Sequence, residues 1–320
     1  MTVNTVLGPV DPAALGVVAV HEALLSIVPG AQYAFDITID RAEIFEALAA
    51  KLTAFKSAGG GTIVDRTGMF HGRDVRLYQS LSRATGVHIV ASTGMGPEEN
   101  LGGYFLTPQT NPPTPWPAER FAELFAAEVT DGMVIPRVER RGAAGLIVTT
   151  TTDAGMTPTD ESLLRGAARA ARDTGVALSF GSLADPLRAL EIALEEKLPA
   201  DRIVVVGLDR AGAPGIAHAV AERGAYVALD HVGWPEGSGH LSDAARVALI
   251  AVLIDAGRVD RVLLSASAVG VAKGHAEIDA PYTAVLDGFV PQLRAAGISD
   301  ENIERLLVAN PRDLLTVKEN

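Results

Sequence analysis

The sequence predicts an α/β protein, built as a single (β/α)8 TIM barrel over residues 1–320. Two observations carry this. Eight short apolar runs rich in β-branched residues recur along the chain without polar alternation, so each suits a strand buried on both faces. Amphipathic stretches of helical length separate most of them, which is the rhythm of a parallel sheet wrapped in helices. A third observation argues against an open doubly wound sheet. That fold would carry a glycine fingerprint after its first strand, and no Gly-x-Gly-x-x-Gly follows residues 16–20.

In chain order, GVVAV (16–20) opens the barrel. The helical stretch RAEIFEALAAKLTAFKSAGG follows Asp40, an N-cap residue, and stops at a glycine cluster. GTIVD (61–65) and VHIVAS (87–92) are the second and third strands. The rhythm then breaks between Gly94 and Pro117, a segment dense in Gly, Pro, Asn and Thr. In a barrel this loop follows strand three on the face where active sites are built. Its aromatics Tyr104, Phe105 and Trp116 either line a pocket or pin the loop to the rim. AGLIV (144–148) is the fourth strand; DESLLRGAARAARDTG (160–175) leads to VALSF (176–180), the fifth. DPLRALEIALEEK, opened by Asp185, precedes IVVVG (203–207). AYVALD (225–230) and RVLLS (261–265) complete the eight, separated by SDAARVALIAVLIDAG with Ser242 as its cap.

Composition narrows the function classes. The chain lacks cysteine, which removes disulfides, thiolate metal sites and cysteine nucleophiles. Its 27 basic and 39 acidic residues give a net charge of −12, a poor match for nucleic acid or an anionic membrane. The amino terminus has neither a basic n-region nor an apolar h-region, and no apolar run approaches the roughly 20 residues of a bilayer span. A cytoplasmic protein whose partner is a small molecule is the expectation.

A barrel places its chemistry at the carboxyl ends of its strands. Of the seven histidines, only His21 and His231 fall there; His71, His218, His240 and His275 read as surface or helix residues, and His88 lies inside strand three. Asp65 with Arg66, and Asp209 with Arg210, read first as internal ion pairs and second as substrate contacts. Ser265 and Ser267 admit a serine–histidine nucleophile with His231 or His21, although no Gly-x-Ser-x-Gly elbow accompanies them.

Several of these segments resemble the phosphotriesterase-like family of the amidohydrolase superfamily, including its lactonases. They are LGPVDPAALG, VHEALL, GRDVRLYQSLSRATGVHIVASTG, RGAYVALDHVG and VANPRDLL, in this order from one end of the chain to the other. The resemblance implies a barrel, commonly a homodimer, that hydrolyses organophosphates, lactones or esters at a two-metal centre. It also implies ligands at six positions: two histidines on strand one, a carboxylated lysine on strand four, histidines ending strands five and six, and an aspartate ending strand eight. At those positions this chain has His21, Ala23, Val148, Gly181, Gly207 and Ser267, so one ligand in six is kept. Zinc-type catalytic sites need about three protein donors, and Ala, Val and Gly supply none. No metal cofactor is therefore expected.

The expected function is a phosphotriesterase-related barrel that binds a small ester, lactone or other apolar ligand with little family-type hydrolysis. A metal-independent enzyme using His231 and Asp230 is the first alternative, and a structural or partner-binding protein the second. The pocket is expected to draw on His21, Asp65, Tyr104, Phe180, Arg210, Trp234 and Ser267.

Overall fold

The computed structural model describes residues 1–31, 34–100, 106–107, 114–135, 139–152, 154–181, 184–211 and 214–318. Tyr104 and Phe105 lie outside the described residues, as do residues 101–103 and 108–113 of the 94–117 segment.

The barrel strands are β1 (Val17–Ile27), β2 (Gly60–Asp65), β3 (His88–Gly94), β4 (Leu146–Thr150) and β5 (Ala177–Gly181). β6 (Ile203–Val205), β7 (Tyr226–Leu229), β8 (Val262–Leu264) and β9 (Val269–Lys273) follow. They form one sheet in the order β8-β7-β6-β5-β4-β3-β2-β1-β9, with every neighbour parallel. Sequence reading expected one eighth strand at 261–265. The structure splits it: β8 pairs with β7 and β9 pairs with β1. The link between them stays bonded on both sides, Ser265 N–H donating to Leu229 O and Ala23 N–H to Ala268 O, so the cylinder closes through a broken stave. Pairing with β9 also explains why β1 runs on to Ile27, well past residue 20. β6 stops before residue 207 because Gly207 turns the chain at φ +73°.

Alternation along the strands separates two cores. Val18, Val64, Val90, Leu146, Val204 and Leu263 point inward and fill the barrel, which Leu314 and Leu315 close from below. Ile63, Ile89, Ile147, Leu178 and Val205 point outward against the helices. The first helix, α1 (Arg41–Ser57), is capped by Asp40, whose carboxylate accepts from the N–H groups of Ala42 and Glu43. α2 (Val75–Thr85), α3 (Ala118–Thr130), α4 (Pro158–Thr174), α5 (Pro186–Glu195), α6 (Pro214–Glu222) and α7 (Asp243–Asp255) complete the outer ring, with Asp185 and Ser242 capping as expected. Trp116 belongs to this layer. The Arg120 guanidinium lies 3.8 Å from its ring centroid and Phe121 5.5 Å away, so it anchors the loop end to α3 and does not line the mouth. Among the described residues no helix is long and apolar enough to cross a membrane.

Candidate functional site

The inward-facing positions beyond the core reach the barrel mouth. Continuing the alternation of β2, β4 and β5 beyond their core residues brings Arg66, Val148, Ser179 and Gly181 to the lining of a cavity of about 250 Å3. His21 enters it from β1, where the four residues from Ala19 to Glu22 stand against three, Ile63 to Asp65, on β2; this bulge re-aims the strand. His71, Thr67 and Met95 contribute from the loops after β2 and β3. Gly94 lets those loops close in, because a Cβ there would sit 2.0 Å from Val148 O.

The same alternation corrects several sequence-derived expectations. Phe180 is one position out of phase with Ser179, so it packs outward in the helix-facing core. Asp65 likewise points away from the cavity and makes no ion pair with Arg66. Its carboxylate accepts from the Thr67 hydroxyl and from Tyr78 Oη at 2.8 Å, both buried. Ser267 and Arg210 do not line the cavity either. Ser265 donates to Glu22 at 2.7 Å, and neither serine hydroxyl bonds a histidine, so the serine nucleophile has no base.

Asp230, at the end of β7, joins the cavity to a second cluster. Its Oδ2 lies 3.4 Å from His21 Nε2, and its Oδ1 accepts from Gly207 N–H at 2.9 Å and stands 3.4 Å from His231 Nδ1. His231 points away from the cavity. Its Nδ1 pairs with Asp209 Oδ1 at 2.7 Å, while Asp209 Oδ2 takes the Arg246 Nε–H at 2.6 Å. The His231 ring stacks on His240 at 3.6 Å and meets the edge of Trp234 at 4.5 Å. Trp234 is fixed by its indole N–H donating to Ala266 O. Sequence reasoning placed His240 on the surface and missed it here. It arrives because Ala211 N–H and Leu241 N–H bond back to Gly239 O and Asp209 O, a pairing with no local signature. His71, also read as a surface residue, lines the cavity.

Burial sets the charges. It holds His21 well below the usual imidazole range, with the Arg66 and His231 charges acting in the same direction. It pushes Asp230 up to about 6, with the Asp209 charge adding to the rise. Burial would also raise Asp209, but the hydrogen bond and charge of His231 and the Arg246 guanidinium outweigh it and hold that carboxylate ionised. His240 is pulled down to about 4, by burial first and His231 second.

Among the described residues, one group brings three metal-ligating atoms within 4.8 Å of one another: Asp209, Asp230 and His231. Those atoms already serve each other and a buried guanidinium. A dication there would have to displace the Asp209–His231 bond beside the positive charge of Arg246, so the donor set fits a metal poorly.

The chain matches the model of the Phosphotriesterase family over residues 1–315. The chain belongs to the phosphotriesterase family. A phosphotriesterase homology protein of Mycobacterium tuberculosis is similar at 27% identity, covering 97% of this chain and 96% of that one. An N-acetyltaurine hydrolase of Xenopus tropicalis is similar at 23% identity over 99% of this chain and 98% of its own. Among solved structures, a double mutant of an organophosphorus hydrolase from Deinococcus radiodurans superposes with TM-score 0.85 at 25% identity, covering 99% of this chain and 97% of that one. A second, described as organophosphate hydrolysis engineered from a weak promiscuous lactonase template, gives TM-score 0.85 at 25% identity over 99% of this chain and all of that one. This phosphotriesterase-family chain thus shares fold and chain length with hydrolases, while its barrel mouth carries Val148 and Gly181 on the cavity wall.

Proposed function

We propose that this member of the phosphotriesterase family binds a small organic molecule in its mouth cavity and does so without a two-metal centre. The composition of the cavity wall carries the reading. At the positions the family resemblance assigns to metal ligands, Val148 and Gly181 line the cavity, and Ala23, Gly207 and Ser267 offer no strong donor nearby. His21 is the one ligand type kept. Hydrolysis that depends on a metal-activated water has no means to proceed at such a wall, and family-type turnover of lactones or organophosphates is expected to be absent or very slow. A cavity with an apolar wall and a few convergent polar groups suits ligand capture.

One observation favours a second reading, metal-independent proton transfer. His21 lies inside the cavity with Asp230 3.4 Å behind its Nε2, an imidazole backed by a carboxyl group and kept neutral by burial. His231, 2.7 Å from Asp209 and outside the cavity, is worse placed for that role.

Metal content per chain decides the first reading. Protein produced with added zinc and then desalted is expected to retain well below one metal ion per chain, and its melting temperature is expected to ignore zinc, cobalt and manganese. Two tightly held ions would overturn it. The second reading is checked in the presence of chelator with para-nitrophenyl acetate: His21→Ala is expected to slow its hydrolysis about a hundredfold, the worth of a positioned base. An unchanged rate removes His21 from the chemistry.

A further inference from the structure

We propose that the mouth cavity selects small organic acids, seating their oxyanion head on the Arg66 guanidinium and their carbon body against Met95, Pro97 and Val148. The proposal deepens the ligand-binding reading and rests on it.

Arg66 is an unusual residue to find at such a wall. It lines the cavity, its Nε is buried without a hydrogen-bond partner, and it forms no ion pair among the described residues. Three buried acids feel its charge, and all take their hydrogen bonds elsewhere. Glu22 accepts from Ser265 and from the N–H groups of Ala266 and Ala268. Asp65 is taken by Thr67 and Tyr78, and Asp230 by Gly207, His21 and His231. Among the described residues no carboxylate lines the cavity wall, whose polar side chains besides Arg66 are hydroxyls and the imidazoles of His21 and His71. Burial also holds both imidazoles below their usual range, so the guanidinium is the cavity's one permanent charge among the described residues.

A half-buried guanidinium with no carboxylate bonded to it leaves its fork open to an anion from outside. A guanidinium presents its donors as a planar fork that matches a carboxylate, phosphate or sulfonate in two parallel bonds. The rest of the wall suits the other end of such a molecule, since Met95, Pro97, Val148 and Val206 give an apolar face. The volume sets the size. About 250 Å3 corresponds to roughly eight waters at about 30 Å3 each, hence to a ligand of about that many heavy atoms.

The test is calorimetric titration of the full chain, in chelator, with four probes sharing one six-carbon body: hexanoate, hexanesulfonate, hexyl phosphate and the uncharged hexanamide. Hexanoate is expected to bind at least about tenfold more tightly than hexanamide, since a charge-assisted bond contributes about 1.5–3 kcal/mol. Arg66→Met is expected to remove that preference, and Arg66→Lys, which keeps the charge but loses the fork, to keep part of it. The order among the three acids reports which oxyanion the fork prefers. Melting temperatures without ligand show whether each variant is folded. If Arg66→Met is not, the Lys variant and the hexanoate-to-hexanamide ratio in the unaltered chain carry the decision. Equal affinity for hexanoate and hexanamide overturns the proposal while leaving a ligand cavity in place. Failure of every acid to bind at about 50 mM, some 1.8 kcal/mol of binding free energy, overturns it too. Acid binding that appears only when zinc is added sinks the metal-free reading instead, because the anion then sits on a metal.

Discussion

Glu22→Ala is expected to lower the unfolding free energy by about 3–6 kcal/mol at about pH 5, the sum for leaving several buried donors unpaired. The reason lies in the broken stave of the barrel. Between β8 and β9 the chain leaves regular pairing for four residues, and Ser267 adopts φ +47° within them. Such a gap exposes backbone donors to the interior, where each must find an acceptor. Glu22, fully buried at the β1 bulge, supplies it. Its Oε1 accepts from Ser265 Oγ at 2.7 Å and Ala266 N–H at 3.0 Å, and its Oε2 from Ala268 N–H at 2.5 Å. Alanine leaves all three donors facing a void. Urea unfolding gives the answer directly, and a loss below about 1 kcal/mol would mean that water or backbone relaxation replaces the carboxyl group.

The pH dependence of that same difference has a definite sign. Burial pushes Glu22 from the ordinary 4.5 up to about 7, against the pull of its Ala266 and Ser265 bonds. The folded state therefore binds its proton more tightly than the unfolded chain does. Between those two values the folded state carries more protons, so the stabilising contribution of Glu22 is fully present below the lower value and declines as pH rises through the upper one. Subtracting the Glu22→Ala variant cancels the titration of the histidines, several of which shift the opposite way. The gap between the two proteins is expected to narrow by a few kcal/mol from about pH 4.5 to 7, at about 1.4 kcal/mol per unit of displaced pKa. A gap that widens over that range would show the carboxylate to be preferentially ionised in the folded chain.

The contrast between Glu22 and its neighbours explains how far the sequence could be read. β-Branched runs are local, so eight strand positions were legible, all but the far end of β1 to within a few residues, and the barrel followed from their number. Inward and outward faces were not assigned from the sequence, because strands buried on both sides carry no polar alternation; in the structure the period of two runs unbroken from Val64 to Arg66 and from Ser179 to Gly181. Phe180 and Asp65 were assigned to the pocket by type and not by phase, and the phase excludes both. What the sequence concealed was the pairing of side chains. Asp65 turns to Tyr78 and leaves Arg66 unpaired, His240 folds back onto His231, and the eighth strand breaks where Glu22, some 240 positions earlier in the chain, can satisfy the break. Asp65 and Tyr78 stand 13 positions apart and His231 and His240 nine, but no local pattern pairs them, and only the Glu22 contact spans most of the chain.

Asp209→Ala is the second large loss, about 3–5 kcal/mol, and its companion variant shows why. Asp209 and Arg246 are both fully buried, and the guanidinium reaches Asp209 through Nε and Asp243 through one terminal nitrogen, while its other terminal nitrogen has no partner. Removing the carboxylate strands that cation and frees the His231 ring, which loses both its Nδ1 partner and the bond to its backbone N–H. The attraction within the pair is not itself the source of the loss. Bringing two ions out of water costs about as much as their pairing returns, so exchanging both for apolar groups of similar size is close to neutral. The double variant Asp209→Ala/Arg246→Met is therefore expected to be more stable than Asp209→Ala alone, with a coupling of about 2–3 kcal/mol in the double-mutant cycle. Simple additivity in that cycle would show that Asp243 and solvent are enough to hold Arg246, and that Asp209 serves mainly to orient His231.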